Sequence, residues 1–213
     1  MRMRKKKHGA ERIAACADLL IPSPPEKDIR EYFTAECPLC LEIGCGKGGF
    51  ACGLTAKEQG INLVAVEKYS DAACLALEKA KASGDSRPDN LRFMIADASA
   101  LGEYFPEHSV SCIYLNFSDP WPKSGYYKRR LTYASFLEIY RKLLVPGGML
   151  RQKTDNEGLF EFSLEQFAAA GLDIVMTTRD LHNSPYAAEN VVTEYEAQFS
   201  AKGMPIYAAW VRF

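Results

Sequence analysis

Asp119 and Lys123 stand four residues apart and enclose Pro120-Trp121-Pro122. They follow the apolar run Val110-Ser111-Cys112-Ile113-Tyr114-Leu115, which reads as a strand buried in a sheet. The two prolines remove backbone freedom and N–H donors on both sides of the indole. The segment Asn116-Phe117-Ser118-Asp119-Pro120-Trp121-Pro122-Lys123 is therefore stiff, cannot be helical, and is expected at the carboxyl edge of a sheet. Open α/β sheets bind their ligands at that edge. An acid, a large flat ring and a cation held there suit a polar aromatic substrate such as a nucleobase. A Pro-rich turn anchored by a buried ring would account for Trp121 alone. Asp119 and Lys123 beside it favour chemistry.

A second constellation is the turn Glu42-Ile43-Gly44-Cys45-Gly46-Lys47-Gly48-Gly49. Gly44, Gly46 and Gly49 satisfy G-x-G-x-x-G, with Glu67 about 20 residues on, as in dinucleotide sites. Gly44, Gly46 and Gly48 equally satisfy the G-x-G-x-G turn of methyltransferases. Charge separates the two. A dinucleotide would bring its pyrophosphate near Glu42, whereas S-adenosylmethionine brings a sulfonium and an ammonium, which a carboxylate stabilises. Glu67, ending the next strand, can accept both ribose hydroxyls. Asp97, ending the one after, is placed to accept from the adenine amino group, and Asp119 closes the fourth. Any one of these acids alone would be read as a helix N-cap or a solvated turn residue. Four in succession suit a cationic ligand.

The elements that must position these residues alternate. Strands are predicted over Leu39–Ile43, Ile61–Val66, Leu91–Ala96, Val110–Leu115, Met149–Thr154, Leu172–Thr177 and Ile206–Phe213. Helices are predicted over Gly49–Gln59, Ser70–Ser83, Thr132–Leu144 and Asn156–Ala170, with shorter ones over Lys27–Thr34 and Thr193–Ala201. Pro146-Gly147-Gly148 is expected to end one helix and start the next strand. Alternating units of this length imply one doubly wound, Rossmann-like α/β domain with a mostly parallel seven-stranded sheet and helices on both faces. That domain is placed at residues 26–213, behind a basic extension over residues 1–25.

Bulk properties agree with this reading. The chain has 213 residues, 47% hydrophobic and 25% charged, enough for a full core. No apolar run reaches the roughly 18 residues that cross a bilayer, and no secretory h-region follows the basic start. Seven cysteines, an odd number scattered through predicted strands and helices, fit reduced thiols in the cytoplasm. Cys37 and Cys40 match C-x-x-C, but His8, His108 and His182 supply no metal-like pair, so no metal is expected. A net charge of −1 gives no global field for a polyanion. Five of the first seven residues are cationic, however, and Lys128-Arg129-Arg130 lies close behind Lys123. Each cluster is either a solvated surface or a local patch for phosphates.

Taken together, Ser118-Asp119-Pro120-Trp121-Pro122-Lys123, Lys128-Arg129-Arg130-Leu131, Lys153-Thr154-Asp155 and Thr193-Glu194-Tyr195-Glu196 resemble the tRNA (guanine-N7)-methyltransferases. The resemblance runs from Leu41 to about Glu196. It implies transfer of a methyl group from S-adenosyl-L-methionine to N7 of a guanosine in the variable loop of tRNA, giving 7-methylguanosine. By matching position it makes Glu42, Glu67, Asp97 and Asp119 cofactor contacts, beside Gly44, Gly46 and Gly48 of the glycine turn, and Asp119 the catalytic residue. Lys123, Asp155, Thr193 and Glu196 become substrate contacts, and Gly125 to Arg130 the RNA-contacting loop, with Lys128, Arg129 and Arg130 on phosphates. The chain departs from the family in carrying Ser124-Gly125-Tyr126-Tyr127 where basic residues or histidine are usual. Tyr126 and Tyr127 there could stack on bases.

The partner so implied is tRNA, with no DNA and no membrane; monomer and homodimer both stay open. The rival readings are an oxidoreductase using a nicotinamide dinucleotide on the same turn, a non-catalytic RNA-binding module, and a methyltransferase acting on a DNA base or a small molecule.

Overall fold

The computed structural model describes residues 6–83 and 89–213. Of the N-terminal cations expected to reach RNA, Arg2, Arg4 and Lys5 lie outside the described residues. The described chain forms an α/β fold with a mostly parallel sheet of eight strands, one more than the seven expected. It divides into two compact units, Met1–Phe105 and Pro106–Phe213.

The first unit holds α1 (Gly9–Ala14), β1 (Leu20–Ile21), β2 (Leu39–Ile43), α2 (Gly49–Lys57), β3 (Asn62–Glu67), α3 (Ser70–Ala82), β4 (Leu91–Ile95) and α4 (Leu101–Tyr104). Its strands lie in the order β1-β4-β3-β2, all parallel. Every residue of β2 and β3 is buried. Such continuous burial is why these strands read as unbroken apolar runs and not as alternation. α3 buries Ala72, Ala73, Ala76, Leu77 and Ala80, a face of small side chains that lets backbone approach closely. Gly48 uses this space: a Cβ there would lie 2.9 Å from the Ala76 Cβ, and its φ is +74°. Only glycine satisfies both demands.

The eighth strand is β1. It pairs Leu20 and Ile21 with Phe93 and Met94 of β4, inside the stretch set apart as an N-terminal extension. The helix expected over Lys27–Thr34 shrinks to a single 3₁₀ turn, Ile29–Tyr32, capped by Asp28, whose side chain accepts from Arg30 N.

The second unit holds β5 (Val110–Asn116), α5 (Ala134–Leu143), β6 (Leu144–Thr154), α6 (Glu157–Ala169), β7 (Asp173–Thr178), α7 (Glu194–Ser200) and β8 (Tyr207–Arg212). Strand order is β5-β6-β8-β7, with β5 and β6 parallel and β8 antiparallel to both its neighbours. α5 buries Leu137, Tyr140 and Leu143, the stripe that helical spacing predicts.

Pro146-Gly147-Gly148 does not delay the strand as expected. β6 begins at Leu144 and absorbs the three residues as an irregularity, its pairing passing from Val110↔Leu144 to Cys112↔Met149. Gly147 tolerates φ +79°, and Gly147 N donates to Phe213 O while Phe213 N donates to Gly148 O, each at 3.0 Å. A bulge of this kind takes up extra residues without ending a strand.

Candidate active site

In the first unit, β2, β3 and β4 run parallel, so the turns after all three leave from one edge. The glycine turn is pinned to the end of β3 by Gly44 N and Cys45 N, which both donate to Val66 O at 2.8 and 3.0 Å. The Glu67 side chain completes the tie: Oε2 accepts from Gly46 N and Oε1 from Tyr69 N, each at 2.9 Å. Glu42 is buried within β2. Burial pushes the Cys45 thiol well above its ordinary pKa, and the Glu42 and Glu67 carboxylates push it further. The turn therefore sits in a negative local field.

Gly44 and Gly46 both have positive φ, and a Cβ on either would meet nothing within 4 Å. Bare backbone facing open space beside two carboxylates fits the cationic methyl donor and is a poor cradle for a pyrophosphate. Asp97, after β4, has local partners. It pairs with Lys68 at 2.5 Å and accepts from Ser99 N and Oγ at 2.9 and 2.8 Å, capping a 3₁₀ turn. The Lys68 ammonium first, then the Ser99 amide, hold its pKa down to about 2.

In the second unit, β5 and β6 bring Asn116 level with Lys153, so Asp119 and Asp155 leave from one edge of this parallel pair. The segment after β5 is strained. Phe117 and Trp121 both have positive φ, +52° and +40°. Bulky residues rarely occupy that region, and where they do the cause is commonly a functional constraint. Asp119, between them, is exposed and takes no hydrogen bond or ion pair from the described residues. The Lys123 side chain is likewise exposed and unengaged among them.

The three cations behind it separate. Lys128 is exposed. Arg129 is exposed too, its guanidinium 4.9 Å from the Trp121 ring and 4.6 Å from the Tyr126 ring. Arg130 turns inward and is 6% exposed, so it does not sit where the expected phosphate contact would require. Tyr126 is 42% exposed, while Tyr127 packs against Phe162 with ring centroids 5.7 Å apart.

The C-terminal motif also divides. Thr193 caps α7 in a capping box, its hydroxyl accepting from Glu196 N at 2.9 Å. Glu196 is fully buried and saturated: Oε2 accepts from Lys153 Nζ at 2.5 Å and Thr193 N at 3.2 Å, and Oε1 meets His182 Nε2 at 2.7 Å and Asn190 Nδ2 at 2.6 Å. No face of this carboxylate is left for a substrate. Asp155 is more open and accepts from the Tyr195 hydroxyl at 3.4 Å. Tyr195 stacks on Phe199 with ring centroids 4.4 Å apart and meets Phe117 at a tilt, 5.1 Å away.

Lys153, His182, Asn190 and Tyr195 join the site without a role legible in the sequence. The T-x-x-E capping pattern of Thr193 and Glu196 is a signal, whereas Lys153 follows Arg151 and Gln152 in β6 and does not stand out there.

The fold and the acid-flanked glycine turn define a Rossmann-like methyltransferase, and a family model described as "Putative methyltransferase" matches residues 36–209. KamB, a 16S rRNA methyltransferase of known structure, superposes with a TM-score of 0.62 over 91% of this chain and 98% of its own, at 13% identity. Sequence relatives are more specific. The tRNA (guanine-N(7)-)-methyltransferase of Lactococcus lactis subsp. cremoris is 41% identical over 100% of this chain and 98% of its own length. That of Brevibacillus brevis is 49% identical over 84% of this chain and 82% of its own. The chain belongs to the tRNA (guanine-N7)-methyltransferase family.

Proposed function

We infer that this chain transfers a methyl group from S-adenosylmethionine to N7 of a guanosine in tRNA, giving 7-methylguanosine, and that the target lies in the variable loop. The observation that carries the reading is Asp119: an exposed carboxylate with no partner among the described residues, bracketed by two residues in left-handed backbone. Strain kept around an unused charge suits a group whose partner arrives with the substrate.

When bound, the cofactor supplies an electrophilic methyl group on sulfur. Guanine N7 attacks through a lone pair it already has, so no proton must leave first. The chain's own work is to hold and orient. Asp119 accepts from the guanine N1–H and N2 amino group and offsets the positive charge that grows on the ring as the methyl arrives. Lys123 and Asp155 contact the nucleotide, and Thr193 presents the start of α7. Glu42, Gly44, Gly46, Glu67 and Asp97 hold the donor, with Gly48 keeping the turn tight against Ala76. Lys128 and Arg129 meet phosphates.

No helix among the described residues is long and apolar enough to cross a membrane. The tRNA substrate supports action in the cytoplasm. The test is incubation with labelled S-adenosylmethionine and unmodified tRNA, followed by nucleoside mapping. One 7-methylguanosine in the variable loop is expected, and unaltered transcripts would overturn the reading.

A further inference from the structure

Arg130 is the innermost member of the Lys128-Arg129-Arg130 run, yet its surroundings differ from those of a nucleic-acid contact. Its Nε donates to Pro120 O at 2.8 Å and one Nη to Trp121 O at 3.3 Å. The guanidinium plane lies over two rings, 4.1 Å from Tyr127 and 4.3 Å from Phe162. Its backbone closes turns on both sides, accepting from Tyr133 N and donating to Tyr127 O. No carboxylate pairs with it among the described residues. A buried guanidinium with no counter-ion is costly unless carbonyls and aromatic faces replace water. Here both do. The carbonyls it gathers belong to the two residues that directly follow Asp119, and the second carries the unfavourable φ of +40°.

We propose that Arg130 is a positioning residue: it holds the Pro120–Trp121 peptides in their strained form and thereby sets the direction in which Asp119 leaves the sheet edge. The planar fork is what the position needs, because two donors must reach two successive carbonyls while the plane stacks on rings. A lysine offers a point charge and neither property. The inference rests on Asp119 as the group that meets the guanine, and it removes Arg130 from the set of phosphate contacts.

The test compares Arg130→Lys and Arg130→Ala with the parent, with Asp119→Ala run alongside. It uses full-length protein, unmodified tRNA and a series of salt concentrations. Arg130→Lys is expected to lower kcat on the order of 10²-fold, the scale of a misplacement of about 1 Å. KM for tRNA, affinity for S-adenosylmethionine and the slope of log K against log salt should stay within about twofold of the parent, since the guanidinium neutralises no phosphate.

A shallower salt slope with kcat preserved would make Arg130 a phosphate contact and overturn the proposal. Parent-like behaviour in every measurement would overturn it too. Should Arg130→Ala fail to fold, the lysine variant decides alone, because it keeps the charge and loses only the fork. Loss of donor affinity in the lysine variant would also count against the proposal, as a general defect of the fold. Full turnover in Asp119→Ala would remove the underlying reading instead, whatever the Arg130 variants show.

Discussion

The Lys153 ammonium and the Glu196 carboxylate meet at 2.5 Å with side chains 7% and 0% exposed, joining the end of β6 to the first turn of α7. Lys153 Nζ also donates to Asn190 Oδ1 and Val191 O, at 2.9 and 2.7 Å, so this one cation gathers the chain that leads into α7. A pair buried and hydrogen-bonded to this degree specifies a conformation more than it adds net stability.

Removing one partner should therefore be severe. Glu196→Gln strands a buried ammonium and should cost about 3–5 kcal/mol of unfolding free energy. Denaturant melts check this. A variant as stable as the parent but unable to bind tRNA would restore the substrate-binding role that the family resemblance implies.

Acid should act through the same carboxylate and through Asp97. For Glu196, burial pushes the pKa upward, but the Lys153 charge and the bonds from Lys153, His182 and Asn190 outweigh it, so the net shift is downward. Asp97 is held down to about 2 by Lys68 and Ser99. A depressed folded pKa gives stability that is present above the unfolded value, about 4, and is lost as pH falls through the folded one. Stability should decline on acidification below about pH 4, with the Asp97 share fading toward about pH 2. Asp97→Asn should flatten that lowest part only slightly, because its ion pair is solvent-exposed. Melting temperatures measured from about pH 2 to about pH 7 read out both effects.

Asp119→Ala should reduce turnover on the order of 10²–10³-fold, the scale seen when one electrostatic stabiliser is removed. Asp119→Asn should retain part of the base positioning and fall less. Single-turnover rates at saturating tRNA measure the difference, and an alanine variant near parental speed would reject the assignment.

Replacing Lys128 and Arg129 together by alanine should weaken tRNA binding and make its salt dependence shallower. The log–log slope should change by about 0.7–0.9 for each phosphate that is no longer neutralised. Filter binding at several salt concentrations suffices. An unchanged slope would leave both cations as solvated surface, with Arg129 serving only to stack on Trp121 and Tyr126.

Legibility in the sequence follows the strength of the local signal. β2 occupies the predicted Leu39–Ile43, and β3 and β4 lie within a residue or two of expectation, because buried apolar runs that end in glycine or an acid have sharp borders. β1 is not legible, because two residues, Leu20 and Ile21, carry no period and owe their conformation to pairing with β4. Lys27–Thr34 has helical composition, yet only a 3₁₀ turn forms there.

The glycine turn and the Asp119 segment are readable because their residue types serve few other ends. Arg130 and Glu196 are not. Charge in a sequence suggests a surface, and only the packing shows that one caps two carbonyls and the other closes a buried network.

Glu67 grips the amide of Gly46 with one oxygen and that of Tyr69 with the other. Whatever engages this carboxylate must tug on both peptides at once, one in each of two separate turns. The two loops are thus mechanically yoked through a single side chain, and shortening it by one methylene would uncouple them while leaving the acid in place.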